Sequence, residues 1–403
     1  MSELLPSRYL NAKTPPHIST LIVLAGIGAL SMNIFLPTLP KMTAYFHTEY
    51  RMMQLSVSAY LGISAIVQVF IGPISDWFGR RPVMLWAIAL FCAATIGCLL
   101  ATNIHVFLAF RMCQAVVVGG LVLSRAAVRD MVPTEQAASM IGYVTMGMSL
   151  VPMVGPVMGG ALGEAFGWQA NFWLLLGIGG LVFAITYLDM GETSERRLGG
   201  FRSQLAEYPE LLKSHRFWGY SLSALFAAGS FFAYLGGAPF IGSEVYTLSD
   251  TRLGLYFGAP ALGYLVGNFF SGRYSMRLGI NRMILIGTIV PCIGLLFSLT
   301  LFGTGHGSAS VFFGFMTIVG LGNGLVMPNA NAGMLSVRPH LAGSAAGLGG
   351  ALIIGGGAAI SAYAGTILRV ETGATPVLLL MLICSLLSIL AIIWAIRRDT
   401  LAA

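Results

Sequence analysis

The sequence is poor in charge. Of its 403 residues, 9% are Asp, Glu, Lys or Arg, where a soluble domain carries about 25%. No Asp or Glu lies in the middle of a long apolar run. All 15 carboxylates fall in loops or near run ends, Glu164, Asp189 and Glu244 among them. The six His residues, at 17, 47, 105, 215, 306 and 340, are also terminal or in loops. No group of ligating residues has metal-site spacing, and no Ser/His/Asp set shares a depth. An enzyme is therefore not expected, and neither a metal nor a cofactor is called for. The five cysteines, Cys92, Cys98, Cys113, Cys292 and Cys384, sit singly inside apolar segments. They read as small core hydrophobes. With no soluble face to carry a basic patch, the net charge of +7 reflects membrane topology, and nucleic acid is excluded as a partner.

Apolar residues are abundant: 56% of the chain is hydrophobic and the mean hydropathy is +0.82. A membrane-crossing helix needs roughly 20 apolar residues. The runs are continuous and do not alternate with period two, which favours helices over a barrel. Spans are expected near 18–40, 52–74, 82–101, 105–127, 137–164 and 170–189, then near 217–240, 252–273, 282–303, 309–335, 342–367 and 376–396. The polar stretch 190–216 divides them six and six. The chain thus reads as an all-α membrane protein with an N-terminal half 1–189, a linker 190–216 and a C-terminal half 217–403. The polar start, Met1 to Pro16, is not a signal peptide, and the first run reads as an uncleaved span. Placing the N-terminus in the cytoplasm leaves only Lys41, Arg51, Arg252 and Arg369 on outer loops and Arg111 within a span; the rest of the 22 Lys and Arg are inside. Both termini and the linker are expected to be cytoplasmic.

The halves echo each other at an offset of 200. Gly72 and Gly79 match Gly272 and Gly279, and Gly155-Pro156 matches Gly355-Gly356. Weak internal symmetry of this kind marks duplicated transporter halves, whose binding sites lie near the midplane between them. Two spans, around Gly155–Gly163 and Gly343–Gly357, are rich in glycine, which lets helix backbones approach closely. Gly320-Leu-Gly-Asn-Gly324 has no strand before it and does not read as a nucleotide loop.

Between the second and third spans lies Gly-Pro-Ile-Ser-Asp-Trp-Phe-Gly-Arg-Arg, residues 72–81. Lipid cannot solvate Asp76, Arg80 and Arg81, so they belong at a membrane surface or in a protein cleft. Gly72 and Pro73 are expected to break the helix and make a tight turn. The cluster reads either as an ordinary orienting loop or as an ion-paired latch that opens and closes during transport. Inside the membrane, Arg111 is the clear ionisable residue, with Gln114 on the same helical face. It either snorkels outward or faces a central cavity, hydrogen-bonded to span 1. Asn33 in span 1 needs a partner. Further cavity candidates are Tyr60 and Gln68, Tyr143, Tyr234, Asn268, and Asn323, Asn329 and Asn331. Amides and aromatics scattered through an apolar cavity suit a broad, weakly specific site.

These features resemble the major facilitator superfamily, and within it the bicyclomycin and chloramphenicol resistance (Bcr/CflA) branch of the drug:proton antiporters. The superfamily pattern is G-x-x-x-D-R-x-G-R followed by Arg or Lys; Gly72, Asp76, Gly79, Arg80 and Arg81 match it, and Trp77 replaces a basic residue. Phe110-Arg111-Met-Cys-Gln114 resembles the span 4 element. Val151-Pro-Met-Val-Gly-Pro156 with Gly159-Gly160 resembles the antiporter motif of span 5, where Gly155, Pro156 and Gly159 would serve the bend. Gly167-Trp168-Gln169, Gly237-Ala-Pro-Phe240 and Pro339-His-Leu-Ala-Gly343 resemble further signatures.

The resemblance implies a monomeric, twelve-helix, two-half transporter of a bacterial inner membrane. It would export small drug-like molecules by alternating access and exchange them for protons. Asp76, Arg80 and Arg81 would gate, and Asn33, Arg111 and Gln114 would line the cavity. The chain departs where relatives carry M-D-x-Y-L-P in span 1, because Asn33 occupies the position of the acid. A neutral, zwitterionic or anionic substrate is therefore expected over a lipophilic cation, and proton coupling would use Asp76, Asp130 or Glu164, or be absent. The alternative on the same fold is a specific transporter of an endogenous metabolite.

Overall fold

The computed structural model describes residues 9–132, 140, 141, 144, 151–194, 209–338 and 341–402. The first span is α1 (Ile18–Asn33), a 3-10 turn over Leu36–Thr38, and α2 (Leu39–Tyr45). Then come α3 (Tyr50–Phe78) and α4 (Arg80–Leu100). The fourth span is also broken, into α5 (Ile104–Gln114), a 3-10 turn over Ala115–Val118, and α6 (Gly119–Met131). α7 (Val151–Phe166) and α8 (Gln169–Asp189) complete the first half. The second half holds α9 (His215–Phe240) with a π turn over Ile241–Val245, α10 (Asp250–Leu278), α11 (Ile280–Gly303), α12 (Ala309–Val337), α13 (Ala342–Thr366) and α14 (Thr375–Ala402). Among the described residues, eleven helical runs are long and apolar enough to cross a membrane. The other crossing ends in α7.

The outer surface matches a lipid setting. Trp86, Leu100, Phe166 and Trp173 are each more than 60% exposed, which water would penalise and acyl chains do not. Inside, the small side chains of α10 and α12 let the two helices touch. A Cβ at Gly320 would strike the Pro260 carbonyl, and one at Gly324 would meet Tyr264. Gly320–Gly324 is therefore a packing surface within a helix.

The two halves share geometry at the expected offset. α3 and α10 are each 29 residues long and each ends at a single glycine, Gly79 (φ +100) and Gly279 (φ +81). Each glycine N–H donates to the serine four residues earlier, Ser75 or Ser275, at 2.9 Å. One left-handed residue turns the chain directly into the next helix, a conformation that a side chain would strain. This corrects the expected break at Gly72-Pro73: α3 runs through both to Phe78. Proline removes one backbone donor, and a membrane helix tolerates that where neighbouring groups take up the freed carbonyls.

Two carboxylates, one at the end of α8 and one just after it, tie down other helix starts. Asp189 is fully buried and accepts from Leu10 N (2.6 Å), His17 N (2.9 Å) and Thr20 Oγ1 (2.6 Å). Glu192 accepts from Arg80 N (2.8 Å) and Arg81 N (3.3 Å). Negative charge at exposed helix N–H groups is favourable. The starts of α1 and α4 and the end of α8 therefore meet at one end of the bundle, called here the termini end. His215 at the start of α9 packs on Trp394 of α14 at that same end.

Candidate transport site

Arg111 is completely buried and lies three residues from the break between α5 and α6. It faces the break in the first span. With α1 ending at Asn33, the Ser31 carbonyl is one of the last carbonyls of that helix, which lack in-helix donors. Arg111 Nη2 supplies the bond at 2.8 Å, and Nη1 donates to Ser31 Oγ at 3.0 Å. Nη1 also donates to Gln114 Oε1 at 2.7 Å, and Nε to the Ser56 carbonyl of α3 at 3.3 Å. The guanidinium lies over the rings of Tyr60 (4.0 Å) and Phe35 (4.5 Å). Gln114 passes the network on, donating to Thr95 Oγ1 of α4 at 2.7 Å. Four spans thus converge on one cation. Among the described residues no carboxylate comes within 4.0 Å of it. Carbonyls, a helix C-terminus and two π faces take the place of a counter-ion.

The structure brings Arg111, Gln114 and Tyr60 together and leaves Asn33 outside the network. Asn33 donates to the Ala29 carbonyl at 2.7 Å and lies against Gly155. Tyr234 is fully buried in the second half among Phe231, Phe257, Phe312 and Phe313. Asn329 donates to Ser271 Oγ and to its own Leu325 carbonyl, both at 2.8 Å, joining α12 to α10. Asn323 bonds Val319 O at 3.1 Å and lines a narrow crevice with Ser230, Thr288, Ser385 and Ser388, inside the second half. Tyr143 lies outside the described residues.

The gating stretch forms a hub on Arg80. Its Nη2 pairs with Asp76 Oδ1 at 2.7 Å, Nε with Asp130 Oδ2 of α6 at 3.1 Å, and Nη1 donates to Ser75 Oγ. Arg81 Nη2 bonds the Tyr187 carbonyl at 2.9 Å and stacks on the Tyr187 ring. A Cβ on Gly79 would meet Glu192, and Gly72 has open space around it. All of these partners belong to the first half or to the segment just after α8.

Polar links between the halves lie at the other end, the far end. Lys41 Nζ pairs with Asp250 Oδ2 at 2.9 Å. Glu164 accepts from Thr251 N at 2.9 Å. Gln54 Nε2 donates to the Ser361 carbonyl at 2.8 Å and sits 3.0 Å from its hydroxyl, and Tyr50 OH donates to the Gly236 carbonyl at 3.3 Å. α7 fits between the halves here. Gly159 presses on the Ile34 carbonyl at the α1 break, Gly160 on the Asp250 carbonyl, and the Pro156 carbonyl on Gly254; Gly155 meets Leu30. Sequence reasoning missed Ser31, Thr95, Asp189, Glu192 and all four far-end links. The carboxylates could have been sought as helix caps, but hydrogen bonds between distant spans leave no local pattern.

Two bundles of membrane helices, sealed against each other at one end around a buried polar centre, define a secondary-transporter architecture. The family model for the Major Facilitator Superfamily matches residues 21–362 and 238–402. The chain belongs to the major facilitator superfamily and is a multi-pass membrane transporter. It is 30% identical over 380 residues to an uncharacterized MFS-type transporter, YdgK, of Bacillus subtilis (strain 168), covering 92% of each chain. It is 29% identical over 361 residues to a chloramphenicol resistance protein of Pseudomonas aeruginosa, covering 86% of this chain and 83% of the relative. Its fold is similar to that of a bacterial homolog of the human lysosomal transporter Spinster, solved in an inward-facing and occupied conformation. That match has a TM-score of 0.70 at 16% identity and covers 95% and 96% of the two chains.

Proposed function

We propose that this protein exports small drug-like molecules from the cytoplasm by alternating access, as a proton antiporter of a bacterial inner membrane. The termini end, with the linker 190–216 between the halves 1–189 and 217–403, faces the cytoplasm, because Lys and Arg concentrate there. The observation that carries the reading is the asymmetry between the two ends. Cross-half bonds close the far end, while the Arg80 hub keeps its ion pairs within one half. The structure then corresponds to a state that receives cargo from the cytoplasm. Opening the far end requires release of Lys41–Asp250, Glu164–Thr251, Gln54–Ser361 and Tyr50–Gly236. Substrates are neutral, zwitterionic or anionic, since the buried centre carries a cation and, among the described residues, no carboxylate within 4.0 Å of it. Protons couple through the carboxylates that hold mobile contacts, Asp76 and Asp130 at Arg80 or Glu164 at the far end. Substrate-triggered proton release that persists when all three are neutralised would refute this assignment.

The name of the Pseudomonas relative supports chloramphenicol as the first probe. Labelled chloramphenicol is expected to accumulate less in susceptible cells that express the protein than in empty cells, and a protonophore is expected to abolish the difference. Equal accumulation, with the protein confirmed in the membrane, would overturn chloramphenicol export.

A further inference from the structure

Between Asp250 and Glu371 the chain carries no Asp or Glu. The turn from α10 into α11 lies in that stretch, at the termini end, and three arginines flank it. Arg273 and Arg277 sit in the last turns of α10, and Arg282 in the first turn of α11. All three are exposed. Among the described residues no carboxylate comes within 4.0 Å of any of them. The matching turn of the first half is neutralised from within. There Asp76 and Asp130 engage Arg80, and the Tyr187 carbonyl takes Arg81. A Cβ on Gly79 would meet Glu192, whereas the space around Gly279 is open. At the offset of 200, Met276 stands where the first half has Asp76, and it is 97% exposed.

The arginines extend faces that lipid covers. In α10, Leu262, Val266 and Phe269 form an exposed apolar stripe at helical spacing, and Arg273 and Arg277 continue it. α10 turns Gly263 and Gly267 to α12 and Gly254 to α7, so the stripe points away from both neighbours. In α11, Ile286, Ile289 and Ile293 form the exposed stripe, and Arg282 stands at its head, one turn before Ile286. The start of α11 is fixed from inside, where Tyr220 of α9 donates to Asn281 Oδ1 at 2.7 Å. Two lipid-facing stripes therefore both end in guanidinium groups, at headgroup level. Orientation alone requires positive charge on a loop; it does not require an acid-free cluster on the lipid face.

We propose that the α10–α11 turn docks an anionic phospholipid of the cytoplasmic leaflet. Arg273, Arg277 and Arg282 hold its phosphate, and its acyl chains lie along the stripes of α10 and α11. Guanidinium forks match phosphate oxygens. Three unopposed positive charges favour a lipid of net negative charge over a zwitterion. The first half thus neutralises its turn with its own acids, and the second half takes its acid from the bilayer. The choice of leaflet rests on the proposed orientation, but binding needs neither cargo nor transport.

Native mass spectrometry of the full-length protein in a neutral detergent counts bound lipids during titration with phosphatidylglycerol or phosphatidylcholine of identical acyl chains. The wild type is expected to bind the first phosphatidylglycerol about tenfold or more tightly, since each arginine near an anionic headgroup is worth about fivefold. Arg273→Gln, Arg277→Gln and Arg282→Gln together should remove most of that preference, and each alone should reduce it several-fold. Their side chains are exposed and carry no ion pair, so the fold should tolerate the changes. Lys13→Gln with Lys213→Gln and Arg397→Gln removes the same charge from the same end and should keep the preference. Equal affinities in the wild type would overturn the proposal whatever the variants do. A preference that survives the triple arginine substitution, or that the control substitutions lower equally, would overturn it too. Displacement of phosphatidylglycerol by millimolar inorganic phosphate would assign the site to a free anion and overturn lipid docking. Failure of the export reading is seen elsewhere, as unchanged chloramphenicol accumulation in cells.

Discussion

Replacing Arg111 by Lys keeps the charge and removes the fork. The guanidinium donates to the Ser31 carbonyl and hydroxyl, to Gln114 and to the Ser56 carbonyl, spanning α1, α3 and α5. An ammonium has three donors at a single point, so at least one of these acceptors loses its partner. The exposed end of α1 makes the Ser31 carbonyl the most expensive to abandon. A buried unsatisfied acceptor costs about 1–3 kcal/mol, and poorer contact with the Phe35 and Tyr60 rings adds about 0.5–1 kcal/mol. A loss of roughly 3 kcal/mol follows, which for a cooperative unit the size of one half lowers the unfolding midpoint by about 6–12 °C. The assay is thermal unfolding of purified protein followed with a thiol-reactive fluorophore. Cys98, Cys292 and Cys384 are buried and become reactive only as the bundle opens. A wild-type midpoint for Arg111→Lys would show that the fork is not what joins the spans, and would refute the reasoning.

Three further substitutions probe other parts of the structure. Gly159→Ala places a methyl against the Ile34 carbonyl; overpacking of this kind costs about 1–3 kcal/mol, and a lower unfolding midpoint with reduced transport is expected, whereas wild-type values would contradict the contact. Gln54→Ala removes two bonds to Ser361 at the far end. It should raise the population open at that end, seen as a longer mean distance between spin labels at Glu49 and Thr247, and an unchanged distance distribution would count against the seal. Glu192→Gln removes the charge at the start of α4, worth about 0.3–1 kcal/mol, so a midpoint drop of a few degrees is expected, and a drop as large as that of Arg111→Lys would show a larger role for Glu192.

Span number and the offset of 200, with Gly79 matched to Gly279, were legible in the sequence because each has a local cause. Apolar length sets a span, and a glycine marks a left-handed residue. The break at Gly72-Pro73 was misread because proline signals a helix end in water, while a packed membrane helix can continue through it. Arg111 and Gln114 were recognisable because an ionisable group in an apolar run has few roles. Its partners were not recognisable. Ser31 matters through a carbonyl freed by a helix break two residues later, and no side-chain pattern reports that. Asn33 drew attention by its place in the family motif, yet its neighbours Ser31 and Phe35 are the ones on the Arg111 face. Tyr234 and Asn329 have cavity-like chemistry, and the structure packs both within the second half. The far-end links join residues such as Gln54 and Ser361, 307 positions apart, a separation at which a single sequence carries no pairing information.

The most direct test of proton-driven export uses purified protein in proteoliposomes with an imposed pH gradient, where no other pump can act. With the lumen acidic, labelled chloramphenicol should accumulate inside above the external concentration, through molecules whose cytoplasmic face points outward, and collapse of the gradient should release it. Equilibration to equal concentrations that ignores the gradient would contradict coupled antiport, and no protein-dependent entry at all would contradict transport of this compound.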